Sequence, residues 1–144
     1  MSADVSVAAG DTLPPREVDP LTQTDVLRFA GACGDFNPLH HDPALAARAG
    51  FAAPVVMGQL TAGIVAAWVS DWCGVEHLLD LEVRFRAPVL VGDTVLLTGE
   101  VVEIVAGEDG RTTARLTLEA ATDDGVVLTA RAAVGLVTAR PRPD

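Results

Sequence analysis

The chain has 144 residues, of which 49% are hydrophobic, and its 20 acidic and 10 basic residues give a formal charge of −10. This length and hydrophobic content predict a folded domain with a sizeable core rather than a disordered chain. Every basic residue is arginine and no stretch concentrates them, which disfavours nucleic acid as a partner and excludes Schiff-base and pyridoxal-phosphate chemistry on lysine.

The two ends of the chain are predicted to be flexible tails, residues 1–10 and 139–144, around a single domain at residues 11–138. The first residues lack the basic and apolar regions of a signal peptide. The longest nearly apolar run, residues 55–69, is too short to span a bilayer. We therefore expect a cytoplasmic protein that does not bind membranes.

A short strand within residues 12–19 is predicted to lead into the first helix. Thr22 starts this helix, and Asp25 three positions on completes an approximate capping box. The helix is expected to end at Gly31 and Gly34.

A second helix of about two turns is predicted in the segment DPALAARAGF, residues 42–51. Asp42 fits the N-cap, Pro43 the first helical position and Gly50 the C-terminal cap. We therefore assign Asp42 to the cap rather than to chemistry.

The third helix is predicted over residues 58–73, GQLTAGIVAAWVSDWC, whose only charged residue is Asp71 near the end. A helix that is apolar almost all round must be buried on nearly every side.

Four strands should follow this helix, because three runs alternate apolar and polar residues with period two and residues 94–105 are rich in β-formers. The positions assigned to the apolar face are Leu79, Leu81, Val83, Phe85; Thr112, Ala114, Leu116, Leu118, Ala120; and Val126, Leu128, Ala130, Ala132, Val134. The links VGD, AGEDG and TDDG are turn sequences, and no helix separates the strands, so the sheet should be antiparallel.

One long buried helix and one antiparallel sheet with a single apolar face predict an α+β domain of the hot-dog type, in which the curled sheet wraps the helix. One sheet covers one side of a helix better than all of it. We therefore expect a homodimer or a higher oligomer, and a hetero-oligomer remains an alternative.

The segment GDFNPLHHDP, residues 34–43, holds two of the three histidines in the chain. It has the composition of a polar turn, since Asn-Pro is a turn former and Asp bonds its own backbone. The adjacent His40, His41 and Asp42 rarely converge on one ion in such a segment, and no other His/Cys cluster supports them. With no dinucleotide loop either, we expect neither a metal nor an organic cofactor.

The stretch from Phe29 to Gly63 resembles the signature of the MaoC-like, (R)-specific enoyl-CoA hydratase family, to which bacterial (3R)-hydroxyacyl-thioester dehydratases also belong. The family pattern is met by Gly34, Asp35, Asn37, Pro38, Leu39, His40, Asp42, Gly50 and Phe51. The resemblance implies a hot-dog fold and reversible syn addition of water to a 2-enoyl thioester. It implies Asp35 and His40 as the catalytic pair, Asn37 as their support and the Gly58 N–H as a donor to the thioester carbonyl.

Physical chemistry agrees with these roles. A carboxylate and an imidazole five residues apart, joined by a proline-stiffened turn, can hold one water and act as base and acid. The N-terminus of the third helix near Gly58 offers unsatisfied N–H groups to an enolate oxygen.

The chain departs from the family pattern at Met57, where the family usually has histidine. The catalytic pair is untouched, but a polar residue of the site has become apolar, which bears on the substrate class. Cys33 stands where serine is frequent, and we expect it to be a small buried residue because nothing nearby would lower its pKa.

Two other functions compete with a hydratase or dehydratase. A hot-dog thioesterase would not require the full motif, and an accessory subunit of a hetero-oligomeric dehydratase could lose Asp35 and His40, both of which this chain keeps. The acidic chain would repel an acidic carrier protein, which favours a coenzyme A thioester as substrate. Arg84 and Arg86 share the polar face of one strand, where a solvated surface fits better than contact with coenzyme A phosphates.

Overall fold

The computed structural model describes residues 7–107 and 111–136. Each predicted helix and strand is present close to its expected place. The helices are α1 (Gln23–Cys33), α2 (Pro43–Arg48) and α3 (Gly58–Cys73). The strands are β1 (Arg16–Val18), β2 (Leu78–Phe85), β3 (Val95–Ala106), β4 (Thr112–Thr122) and β5 (Gly125–Leu136). Single 3-10 turns lie at Pro38–His40 and Val75–His77.

The five strands form one antiparallel sheet in the order β1-β3-β4-β5-β2. Val65, Trp68 and Val69 of α3 are buried in the same core as the apolar face of the sheet. This is the predicted hot-dog arrangement, and the fold class is confirmed.

Gly99 explains how α3 approaches the sheet so closely. A Cβ at this position of β3 would lie 3.1 Å from the Trp68 ring and 2.7 Å from Leu118. The Trp68 indole N–H donates to the carbonyl of Pro14 at 3.1 Å. A glycine in the strand therefore leaves room for the indole against the sheet while its N–H reaches the N-terminal segment.

The predicted capping box of α1 is present. The Thr22 side chain accepts from the Asp25 N–H, and the Asp25 carboxylate accepts from both the N–H and the hydroxyl of Thr22. The hydroxyl hydrogen bond holds the pKa of Asp25 below its usual range. The helix passes through Gly31 and ends only at Gly34, whose φ is 75°, so the prediction that Gly31 ends it is wrong.

The caps of α2 are also those predicted. The Asp42 carboxylate accepts from the N–H groups of Ala44 and Leu45. Gly50, with φ 90°, follows the last turn; its N–H donates to Ala47 and the Phe51 N–H donates to Ala46. These two bonds form a Schellman motif with glycine in the left-handed position.

Two β-bulges overturn part of the predicted alternation. The register shifts between Leu78 and Asp80, which leaves Leu79 61% exposed instead of facing the core. A second shift lies at the start of β5, where Val127 is the extra residue opposite Ala120 and Ala121 of β4; it leaves Val126 38% exposed while Val127 is buried. A bulge inserts one residue and so moves its neighbours to the other face. The remaining apolar positions of β4 and β5 face the core as predicted, except Thr112, which is half-buried.

The prediction that α3 is buried on nearly every side is wrong for a single chain. Gln59, Gly63, Ala67 and Asp71, four residues apart, form an exposed stripe. The opposite face carries the core residues. A second subunit thus stays an expectation rather than an observation.

The expected tails lie largely outside the described residues, as does part of the AGEDG link between β3 and β4. At the N-terminus, Gly10 already donates a hydrogen bond to Val101 of β3 at 2.7 Å. None of the described helices has the length and apolar character needed to cross a membrane.

Candidate active site

The loop after α1 is shaped by its own polar side chains. One oxygen of Asp35, Oδ1, accepts from the Asn37 N–H at 3.2 Å. The Asn37 side chain accepts in turn from the Leu39 N–H at 3.0 Å and starts the 3-10 turn that carries His40. Asn37 therefore stabilises the conformation of the loop, and the second carboxylate oxygen of Asp35 is left for other contacts.

His40 is held by the chain on both sides of the loop. Its Nδ1 lies 2.6 Å from the carbonyl oxygen of Val55, and the Val55 N–H donates to the Leu39 carbonyl at 3.1 Å. The Gln23 side chain, from the first turn of α1, donates to the His40 carbonyl at 2.9 Å. The ring is thus fixed, and its side chain is only 13% exposed.

The contact with Val55 assigns a role to each ring nitrogen of His40. A carbonyl oxygen only accepts, so Nδ1 is the donor in this contact, and in the tautomer with its proton on Nδ1 the other nitrogen, Nε2, is an acceptor. Nε2 lies 3.5 Å from Oδ2 of Asp35. This is longer than a direct hydrogen bond. Two acceptors at this separation can receive the two hydrogens of one water molecule.

The N-terminus of α3 carries no side-chain cap. Its N-cap residue is the buried Met57, and the Leu60 and Thr61 N–H groups both donate to the Met57 carbonyl. Helix geometry leaves the N–H groups of Gly58 and Gln59 without an intrahelical acceptor. Met57 is buried and belongs to the core, so its side chain offers no polar group at this helix end.

A cavity of about 310 Å³ opens beside this helix end. Its lining is mainly apolar and includes Val55, Gly58, Thr61 and Phe85. The Phe85 ring lies 3.0 Å from where a Gly58 Cβ would be, so glycine permits the ring to close over the helix start. Because Val55 both lines this cavity and holds His40, one segment joins the cavity to the Asp35–His40 pair.

The other histidines and Asp42 lie apart from the Asp35–His40 pair. His41 is exposed, and its Nε2 lies 3.4 Å from the Phe36 carbonyl oxygen. Asp42 caps α2. The third histidine of the chain, His77, lies in the 3-10 turn before β2 with its Nε2 3.7 Å from Glu76 Oε1.

The expectation that Cys33 is buried is wrong, because it is exposed at the end of α1, where residues 31–38 are all exposed. The buried cysteine is Cys73, the last residue of α3. Burial raises the pKa of the Cys73 thiol, which makes it a poor nucleophile.

Sequence reasoning missed Gln23, Val55 and Phe85. The Gln23 side chain binds the backbone carbonyl of His40, and the backbone carbonyl of Val55 binds the His40 ring; no residue pattern reveals either contact. Phe85 belonged to a predicted strand, but its contact with Gly58 depends on how the sheet curls over α3. Within residues 7–107 and 111–136 no cluster of three or more His, Cys, Asp or Glu side chains is arranged to hold a metal ion.

Comparisons with known proteins agree with the motif. A model of the MaoC like domain matches residues 5–122. The chain is 36% identical over 105 residues to an (R)-specific enoyl-CoA hydratase from Aeromonas caviae, which covers 72% of this chain and 76% of the relative. It is 34% identical over 117 residues to a 3-hydroxybutyryl-CoA dehydratase from Methylorubrum extorquens, which covers 79% and 72%.

Superposition on solved structures agrees with the fold described above. An (R)-hydratase from A. caviae involved in PHA biosynthesis superposes with a TM-score of 0.79 at 32% identity over 92% of this chain and 99% of that one. A chain of the ChsH1–ChsH2 complex from Mycobacterium tuberculosis gives 0.80 at 24% identity, covering 92% and 100%. The relatives from A. caviae and M. extorquens are named as a hydratase and a dehydratase, which are hydro-lyases, and this confirms the expected enzyme class. The chain belongs to the MaoC-like family.

Proposed function

We propose that this enzyme catalyses the reversible syn hydration of 2-enoyl thioesters and the dehydration of (3R)-hydroxyacyl thioesters, with Asp35 and His40 as the catalytic pair. The observation that carries the proposal is the 3.5 Å separation of His40 Nε2 and Asp35 Oδ2, with Nδ1 turned away to Val55. Two basic atoms converge there with nothing of the described chain between them. The relatives named for hydration and dehydration support the same reaction.

In the hydration direction, a water held by the pair attacks C3 of the conjugated thioester. One member of the pair takes the proton of the water as the C–O bond forms, and the pair returns a proton to C2. Both transfers occur from one side of the substrate, which gives syn addition. General acid–base catalysis of this kind contributes about 10²- to 10⁴-fold in rate.

As water adds, negative charge develops on the thioester oxygen. The uncapped N–H of Gly58 would meet this charge; its place at the positive end of α3 and in the lining of the apolar cavity supports this role. The acyl group would then occupy the space next to Val55 and Phe85. The apolar Met57 in place of a histidine favours an acyl chain without polar groups near the thioester.

The proposed substrate is a coenzyme A thioester rather than an acyl-carrier-protein thioester. The net charge of −10 supports this choice, since an acidic carrier protein would be repelled. The enzyme is further proposed to be cytoplasmic, oligomeric and independent of a metal or organic cofactor. Retention of full activity after dialysis against a chelator would agree with the last point, whereas loss restored by one specific ion would contradict it.

The test is an absorbance assay of the enoyl-thioester band over a panel of 2-enoyl-CoA substrates of increasing length. We expect the band to decay and the product to be the (3R)-hydroxyacyl-CoA by chiral analysis. Mainly (3S) product would refute the family mechanism for this chain.

The same assay separates the alternatives. Release of free thiol from saturated acyl-CoA, without loss of the enoyl band, would instead indicate a thioesterase. Activity that appears only after a second protein is added would indicate a subunit of a hetero-oligomeric dehydratase.

A further inference from the structure

Thr61, one turn into α3, is the one buried polar residue within residues 7–107 and 111–136, with 3% of its surface exposed. Together with Gly58 it lines the apolar cavity beside the start of the helix. A buried hydroxyl normally has a hydrogen-bond partner, because leaving it without one costs free energy. The partner of this hydroxyl therefore indicates what the residue does.

The Thr61 hydroxyl has no hydrogen-bond partner in the part of the chain that the structure describes. The backbone N–H of Thr61 is used within the helix, where it donates to the Met57 carbonyl at 3.3 Å. A threonine hydroxyl in a helix commonly bonds the carbonyl four residues back. Here that carbonyl is the one of Met57, and the Leu60 and Thr61 N–H groups already occupy its two lone pairs. The hydroxyl is thus left for another partner.

This hydroxyl opens on the cavity rather than into the core. No side-chain nitrogen or oxygen that is sealed inside the described residues lacks a hydrogen-bond partner. The hydroxyl of Thr61, which has none, is therefore not sealed in, and the space that Thr61 lines is the cavity of about 310 Å³. Thr61 consequently presents a hydrogen-bond donor to whatever the cavity binds.

Helix geometry directs the Thr61 side chain toward Gly58. Residues three apart lie on the same face of a helix, and each Cα–Cβ bond leans toward the N-terminus. Gly58 has no side chain to separate the two, and a Cβ there would already lie 3.0 Å from the Phe85 ring. The Thr61 hydroxyl and the Gly58 N–H therefore border the same part of the cavity.

We propose that the Thr61 hydroxyl is a second hydrogen-bond donor to the thioester oxygen, beside the Gly58 N–H. The inference rests on the proposed function, because it concerns the same substrate at the same helix end. An oxygen that gains negative charge has lone pairs for at least two donors. The mainly apolar lining strengthens each of these hydrogen bonds. Thr61 transfers no proton and forms no covalent bond; it stabilises the charge that develops as water adds.

A packing role is the alternative reading of Thr61, and it has a different consequence. Valine has nearly the shape of threonine, so a position that needs shape alone would accept valine without loss of turnover. An unpartnered hydroxyl in an apolar cavity contributes nothing to the stability of the free enzyme, as is typical of a group reserved for a ligand. The proposal therefore predicts that removing the hydroxyl lowers turnover without lowering stability.

Thr61→Val and Thr61→Ser form a matched pair, since the first removes the hydroxyl and the second keeps it. We expect Thr61→Val to lower kcat by about 10²-fold, the loss typical of one oxyanion donor, with KM within about threefold of wild type. Thr61→Ser should keep kcat within about tenfold of wild type. Thr61→Val should melt at or above the wild-type temperature.

Three outcomes of these measurements would overturn the proposal. The first is a Thr61→Val variant with the kcat of wild type, which would show that only shape matters. The second is an equal loss of kcat in Thr61→Val and Thr61→Ser, which would show that the hydroxyl is not the cause. The third is a melting temperature of Thr61→Val clearly below wild type, which would show that the hydroxyl is bonded within the protein.

Infrared spectroscopy of a bound thioester tests the contact without turnover. Butyryl-CoA, isotope-labelled at the carbonyl carbon, is saturated and cannot be hydrated. On wild type and Thr61→Ser, we expect its carbonyl stretch at a lower frequency than in water, and on Thr61→Val at a clearly higher frequency than on wild type. A wild-type band that is not lowered would overturn the proposed thioester site and this inference with it. An equally lowered band on Thr61→Val would overturn the role of Thr61 alone and leave the proposed reaction standing.

Discussion

The N-termini of α2 and α3 lie near each other in sequence but are built in opposite ways. At α2, Asp42 accepts from the N–H groups of Ala44 and Leu45. At α3, the N-cap Met57 offers no side-chain acceptor, and the first residue is Gly58. One helix end is satisfied within the chain, and the other is left open beside a cavity.

This difference indicates that the N-terminus of α2 contributes to stability, whereas the N-terminus of α3 is available to bind a ligand. A capped helix end gains stability because its free N–H groups are paired. An uncapped end costs stability but keeps its N–H groups and dipole for a ligand. The same division holds for the two histidines, because His40 is fixed toward Asp35 and His41 is exposed. The comparison predicts which substitutions change catalysis and which change stability.

The sharpest test compares Gly58→Pro with Gly58→Ala. Both add a Cβ next to the Phe85 ring, but only proline removes the N–H. Proline is tolerated at the first helical position, and the ψ of 133° at Met57 suits a residue before proline. We expect kcat of the proline variant to be about 10²- to 10³-fold below that of the alanine variant. Equal kcat values for two folded variants would exclude the Gly58 N–H as the oxyanion donor.

The proposed catalytic pair, Asp35 and His40, should behave as one unit. His40→Ala and Asp35→Asn should each lower kcat/KM by roughly 10²-fold or more, and the double variant should be little worse than either. His41→Ala is the matched control and should stay within about tenfold of wild type. Steady-state kinetics of all four decide this, and equal damage from the two histidine variants would show that the base is misassigned.

Asp42→Ala should remove the side-chain cap at the N-terminus of α2 and leave the uncapped N-terminus of α3 unchanged. Loss of this N-cap should cost about 1 kcal/mol of unfolding free energy, seen as a melting temperature lower by a few degrees. Turnover per folded molecule should change less than tenfold. Asp42→Asn, which keeps a capping oxygen, should melt close to wild type; a large loss of kcat in that folded variant would give Asp42 a chemical role.

The smallest effect is expected at the capping box of α1. The hydrogen bond from the Thr22 hydroxyl lowers the pKa of Asp25, so its contribution to stability is present above the unfolded pKa and is lost as pH falls through the folded pKa. Asp25→Ala should therefore melt slightly below wild type at pH 7. The two melting curves should converge at acidic pH, below about 4. A difference that persists there would mean that the cap does not depend on the charge of Asp25.

Much of the fold could be predicted because local rules decide it. The local sequence leaves few alternatives to the helix caps formed by Thr22, Asp42 and Gly50. The alternation of apolar and polar residues in β4 determines which of its faces is buried. Leu79 and Val126 could not be placed, because bulges depend on the partner strand. The proximity of Asp35 and His40 was expected from the resemblance to the MaoC-like family, with which their spacing agrees. The hydrogen bonds of His40 with Val55 and Gln23 could not be anticipated, since each joins segments distant in sequence and involves a backbone carbonyl.

The strand order has a consequence for synthesis of the protein. β2 leaves the ribosome directly after α3, yet β5, the strand it pairs with, is the last of the sheet to be made. Until β5 emerges, both edges of β2 are unpaired, and unpaired edges invite aggregation. The charged side chains of Asp80, Glu82 and Arg84 keep one face of the unpaired strand hydrated. They thereby protect the nascent chain from aggregation during the time before β5 is synthesised and pairs with β2.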